Sequence, residues 1–132
     1  PRHAAFESLC KAWMTEFQSD MYQDLIKKQL HDSSGKQVRL NNVLMQLRKC
    51  CNHPYLFDGA DPNPEQTTSD IIESSAKMLL LDRLLAKLKV GGHRVLLFSQ
   101  FTSMLDILED YCKWRNYCCC RLIVLTSWCF VF

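Results

Sequence analysis

Arg94-Val95-Leu96-Leu97-Phe98-Ser99-Gln100-Phe101-Thr102-Ser103-Met104-Leu105-Asp106-Ile107-Leu108 is the stretch on which the fold class turns. Val95 to Phe98 is a short run with no polar alternate, the pattern of a strand buried on both faces in a parallel sheet. After Ser99 and Gln100, the residues Met104, Leu105, Ile107, Leu108 and Tyr111 recur at helical spacing, and Thr102 or Ser103 stands where a helix cap belongs. Downstream, Tyr117 to Leu125 supplies a second strand. Upstream, Met78, Leu81, Leu84, Leu85 and Leu88 mark a helix that Gly91-Gly92 ends. Helix, strand, helix, strand in that order predicts an α/β layer on a parallel sheet.

Further upstream the texture changes. Gly59 to Ser75 holds Gly, Pro, Asp, Asn, Ser and Thr with few apolar residues, which predicts an exposed connector and a domain boundary. Before it, Leu40, Val43, Leu44 and Leu47 predict a helix that stops near Asn52, because Pro54 pushes its predecessor out of helical dihedrals. Asn52 is the expected cap. His31 to Lys36 reads as a loop. A Thr-x-x-Gln pair, Thr15 and Gln18, opens an earlier amphipathic helix through Phe17, Met21, Leu25 and Ile26 to about Leu30.

Composition narrows the class. The 132 residues carry a formal net charge of +2, with 48% hydrophobic and 23% charged residues, the balance of a globular chain with a core to bury. Eight cysteines suggest a disulfide framework, but Cys50-Cys51 are adjacent and Cys118-Cys119-Cys120 are a triplet, and no secretory signal opens the sequence. Reduced thiols are the expectation. Cys50, Cys51 and His53 cluster without the paired spacing a tetrahedral zinc site needs, so no metal is expected. On a strand, Cys118 and Cys120 share a face, and small buried hydrophobes are the expected role. Leu122 to Phe132 is apolar but shorter than the roughly 20 residues a membrane helix needs, so no membrane partner is indicated.

Leu47-Arg48-Lys49-Cys50-Cys51-Asn52-His53-Pro54-Tyr55-Leu56-Phe57, followed by Arg94 to Gln100 and Leu105-Asp106-Ile107-Leu108-Glu109-Asp110-Tyr111, resembles the SWI/SNF-related helicase-like ATPases. Asp58-Gly59-Ala60-Asp61-Pro62, Trp114-Arg115-Asn116-Tyr117 and Cys120-Arg121-Leu122 are most similar to the imitation-switch chromatin remodellers. The resemblance spans Met14 to Leu122. It implies a nuclear motor of two RecA-like lobes that clamp ATP and Mg between them, track along DNA, slide nucleosomes, and work with other subunits of a remodelling complex. Residues 14–58 are then the helical end of the first lobe, 59–75 a linker, and 76–122 the start of the second RecA-like lobe. Residues 1–13 and 123–132 depart from the family pattern.

The resemblance directs attention to Arg48, Lys49, Lys77, Ser99 and Gln100 as DNA-binding or lobe-coupling residues. Each also has a plainer reading. Arg48 and Lys49 lie at a helix end that Asn52 caps and Pro54 stops, beside a satisfied buried His53. Lys77 is a lysine with no glycine-rich loop around it, and a surface role is the expectation. Ser99 and Gln100 leave the C-terminal end of a strand, where open α/β sheets gather ligands, but either would also serve the next helix as a cap. Asp106, Glu109 and Asp110 fall on the polar side of a helix, a solvated face.

ATP hydrolysis needs a G-x-x-x-x-G-K-[ST] loop and a carboxylate for Mg²⁺. The four glycines, at 35, 59, 91 and 92, open no such loop. The family's aspartate-glutamate box and arginine finger have no counterpart either. The expectation is a piece of the motor, without catalytic or ATP-binding residues and inactive alone, with an apolar end prone to aggregate. A non-catalytic DNA-binding or protein-interaction module is the alternative.

Overall fold

The computed structural model describes residues 8–31, 40–124 and 127–131. The expected loop from His31 to Lys36 and the first half of the segment 1–13 therefore fall largely outside the described residues. Helix α1 is Glu16–His31 and α2 is Leu40–Asn52; a single 3-10 turn, Pro54–Leu56, follows. Then come a four-residue helix α3, Asp70–Glu73, and the longer α4, Ala76–Val90. Strand β1 (Leu96–Ser99), helix α5 (Thr102–Trp114), and strands β2 (Cys120–Val124) and β3 (Ser127–Val131) complete the order.

The Thr15 and Gln18 pair forms the reciprocal cap expected of it. Thr15 N donates to Gln18 Oε1 at 3.3 Å, and Gln18 N donates to Thr15 Oγ1 at 3.2 Å. Helix α4 ends as Gly91-Gly92 requires: Gly92 takes the left-handed φ of 68°, and His93 N reaches back to Leu88 O at 3.0 Å. Helix α5 ends the same way on a non-glycine, with Asn116 at φ 54° and Tyr117 N bonded to Cys112 O at 2.8 Å. Asparagine tolerates that conformation because its short polar side chain costs little there.

Two expected caps are corrected. Asn52 ends α2, but its side chain turns to Lys77 instead of to its own helix. At α5 the cap position is Phe101, which makes no side-chain bond. Ser99 closes the turn, its hydroxyl accepting from Phe101 N at 3.3 Å and donating to Phe101 O at 3.2 Å. The hydroxyl sits two residues ahead of the cap, so it serves the turn and leaves the helix start bare.

The sheet also differs from expectation. β1 and β2 each pair antiparallel with β3, in the order β1-β3-β2, with Leu96 opposite Val131 and Cys120 opposite Val131. The two strands read as parallel neighbours do run in the same direction, but residues 127–131 lie between them. β1 is not buried on both faces: Leu96 and Phe98 are 56% and 68% exposed, and Val95 and Leu97 pack on the core. One covered face and one wet face is the habit of antiparallel sheets. Likewise Cys118 and Cys120 do share a side, but it is the exposed one, and Cys119 packs inward.

The core lies under α5, whose Met104, Leu105, Leu108, Tyr111 and Cys112 are buried against Met78 and Leu85 of α4. Leu56, Ile71 and Ile72 complete it, so the segment 59–75 is not wholly an exposed connector. Two apolar residues among many polar ones gave too short a run to show a period. Asp82 locks α4 to α5. Arg115 grips it with Nε to Oδ1 at 2.8 Å and Nη2 to Oδ2 at 2.7 Å, and the buried Tyr111 hydroxyl donates to Oδ1 at 2.9 Å. Asp106 is exposed as expected and Glu109 is half-buried, and both receive Arg121, at 2.6 and 3.9 Å, which ties β2 to α5.

Candidate functional site

Helix α1 presents Gln18, which is fully buried, to two other helices. Its Nε2 donates to Cys50 O at 2.9 Å near the end of α2, and its Oε1 accepts from Ala76 N at 3.0 Å at the start of α4. Thr15 Oγ1 donates to Ser74 O at 3.1 Å, and Ser75 Oγ donates to Asn52 O at 2.8 Å. Every polar atom of the Gln18 side chain is thus used, and the end of α2 is fixed beside the first turn of α4. The sequence pattern exposed only the capping half of this role.

Beside that junction is a cleft of about 480 Å³. Arg48 comes to it from α2, Lys77 from α4, and Ser99 and Gln100 from the end of β1. Four of the five residues singled out from sequence are therefore brought together across 52 positions of chain, from 48 to 100. Lys49 is not: it is half-buried elsewhere on α2, where its carbonyl accepts from His53 N at 3.0 Å. Successive helix residues point about 100° apart, so Arg48 and Lys49 do not share a face.

The electrostatics of the cleft are one-sided. Arg48 and Lys77 are exposed, and among the described residues neither Asp nor Glu lines the walls. Lys77 Nζ is held by Asn52 Oδ1 at 2.7 Å, a neutral partner that aims the ammonium without cancelling its charge. Arg48 stands with its guanidinium carbon 6.0 Å from the centre of the Phe101 ring. The Gln100 side chain is exposed, and Tyr22 and Phe98 add aromatic surface to the lining. Two oriented cations, an amide and aromatic faces suit an anionic, stackable ligand such as a nucleic acid.

His53, at the edge of this region, offers no acid-base function. It is buried, its Nε2 donates to Ile71 O at 2.8 Å, and its Nδ1 accepts from Tyr55 N at 3.1 Å. Burial holds its pKa below the ordinary histidine value and keeps it neutral. The Cys50 thiol donates to Gln18 O at 3.4 Å, and burial together with neighbouring Cys51 pushes its pKa up to about 11. Two of the three side chains of the zinc alternative, Cys50 and His53, are therefore engaged in the scaffold, and among the described residues no three His, Cys, Asp or Glu side chains converge. No described helix is long and apolar enough to cross a membrane.

No family model matches the chain. It is 57% identical over 114 residues to the human SWI/SNF-related matrix-associated actin-dependent regulator of chromatin subfamily A member 1, covering 83% of this chain and 11% of that protein. With the Saccharomyces cerevisiae ISWI chromatin-remodeling complex ATPase ISW1 the identity is 50% over 116 residues, 83% of this chain and 10% of the relative. The mouse chromodomain-helicase-DNA-binding protein 1-like is 52% identical over 107 residues, 79% of this chain and 12% of that protein. The chain thus spans about a tenth of the length of the curated relatives it matches. Over that span it belongs to the SWI/SNF-related ATPases and is similar to their imitation-switch members.

Proposed function

We propose that these residues are the central part of an ATP-dependent, DNA-translocating chromatin-remodelling motor, with the cleft as a DNA contact that couples two lobes. Residues 14–58 are the helical end of the first lobe, 59–75 the linker, and 76–122 the start of a RecA-like second lobe. In the intact motor ATP and Mg bind between the lobes, and nucleosomes and complex subunits engage the parent protein in the nucleus. The present residues supply no phosphate loop and no metal carboxylate, so hydrolysis is carried by other parts of the motor.

The observation that carries this reading is the meeting of Arg48, Lys77, Ser99 and Gln100 in one cleft, with no Asp or Glu among its described lining residues, at the seam between the two segments. Fluorescence anisotropy with a labelled duplex tests it. Affinity should fall as salt rises, and Arg48→Glu with Lys77→Glu should weaken binding about tenfold and lower the salt slope by about two. Undetectable or salt-independent binding would sink the DNA contact. DNA-stimulated ATP turnover by the chain alone would overturn the assignment of hydrolysis to other parts.

A further inference from the structure

Helix α1 has a second working surface. Phe17, Met21 and Leu25, four residues apart, form the floor of a cavity of about 490 Å³ whose other wall is the turn from Phe57 to Ala60. It runs into a neighbouring cavity of about 700 Å³ that shares Phe17, Met21, Gly59 and Ala60 and extends past Tyr55 and Pro62. Gly59 makes the dividing turn with a φ of 76°, and no atom stands within 4 Å of where a β-carbon would lie. Phe17 is 45% exposed and Met14, just before it, 43% exposed. A contiguous apolar floor open to water and rimmed by polar groups marks a binding surface.

The rim has one sign. Asp20, Asp24 and Asp58 border the first cavity, Asp70 and Glu73 the second, and among the described residues no Lys, Arg or His lines either. Their relief is small: Lys27 approaches Asp24 at 3.9 Å with both side chains about two-thirds exposed, and the Thr68 hydroxyl donates to Asp70. Asp20, Asp58 and Glu73 have no cationic partner among the described residues. This groove is the electrostatic opposite of the cleft at Arg48 and Lys77, and it repels a phosphate backbone.

We propose that this groove docks a short basic peptide segment of a partner protein. An apolar side chain of that segment seats between Phe17 and Met21, and its lysines or arginines meet Asp20, Asp58 and Glu73. Apolar anchoring supplies affinity, and the acidic rim selects charge and speeds encounter.

The test is fluorescence anisotropy of the full chain with a labelled synthetic peptide of about twelve residues alternating Lys and Leu, near physiological salt. A Glu/Leu peptide and a Lys/Ser peptide of the same length are the controls. The Lys/Leu peptide should bind, the Glu/Leu peptide should not, and the Lys/Ser peptide should bind about tenfold more weakly. Asp20→Lys with Glu73→Lys should cost at least about tenfold in affinity for Lys/Leu, with the circular dichroism spectrum unchanged because both sites are exposed. Phe17→Ser should weaken binding comparably. Equal binding to the double variant, or equal binding of the Glu/Leu peptide, overturns the proposal. So does a dimer in sedimentation that disperses in the double variant, since the occupant is then a second copy.

Discussion

Lys77 Nζ lies 2.7 Å from Asn52 Oδ1, so the first turn of α4 is tied to the last residue of α2 across 25 positions of chain. The bond is exposed, and an exposed hydrogen bond of this kind contributes at most about 1 kcal/mol. Asn52→Ala should therefore lower stability by less than about 1 kcal/mol in a urea melt. Because it leaves the ammonium in place, duplex affinity should stay within about twofold of the parent, whereas Lys77→Glu should lose severalfold. Equal losses from both substitutions would mean that the pair matters for shape and not for charge.

Gln18 is a stronger test of the scaffold. Truncation to Ala leaves Cys50 O and Ala76 N without their partner at a buried junction, each costing about 1–3 kcal/mol. The expected loss is about 3 kcal/mol by chemical denaturation. A loss below about 1 kcal/mol would show that water replaces the amide freely.

Asp82 is gripped by Arg115 and by the Tyr111 hydroxyl, whose own ionisation is suppressed by burial and by the adjacent carboxylate. Tyr111→Phe keeps the ring and the ion pair, so it should cost about 1 kcal/mol. Asp82→Ala strands a buried phenol and a partly exposed guanidinium and should cost about 2–3 kcal/mol. Thermal melts of both variants check the order, and the prediction fails if Tyr111→Phe is the worse of the two.

His53 gives a pH dependence with a definite sign. Its folded pKa is depressed by burial, so the unfolded chain takes up the proton first as pH falls below about 6.5. Its contribution is complete above that pH and is lost as pH drops toward the folded value. Denaturation midpoints from pH 7 to 5 should decline, and His53→Asn should flatten the slope. An unchanged slope in the variant would mean that other groups govern it.

The thiols should sort by environment. Cys10, Cys118 and Cys120 are exposed, whereas Cys50 is raised to about 11 and Cys112 is raised by burial and by Cys119. Iodoacetamide at about pH 8 should alkylate the exposed three first and reach Cys50 and Cys112 only in denaturant, as read by peptide mass spectrometry. Early modification of Cys50 would contradict the Gln18 junction.

The helices were legible because long amphipathic periods and their stop signals are local: Thr15 with Gln18, Pro54, and Gly91-Gly92 all act within a turn of themselves. Arg48, Lys77, Ser99 and Gln100 were singled out through a family pattern, and nothing in their spacing says that they meet in one cleft. What escaped was non-local. Asn52 serves Lys77 and Asp82 serves Tyr111 and Arg115, choices made by tertiary proximity that no window of sequence contains. Val95 to Phe98 misled for a related reason. Four apolar residues fit a strand between two covering layers equally well as one with a wet face, and only the partner strand decides.

That partner carries a consequence of its own. β1 and β2 point the same way, and β3 runs against both, so the two outer strands stand about 9.6 Å apart, twice the usual spacing. The inward amides and carbonyls of both are satisfied by one five-residue stretch of main chain. A slot defined by backbone hydrogen bonds is indifferent to side-chain identity. Any extended segment of the same polarity is a competitor for residues 127–131.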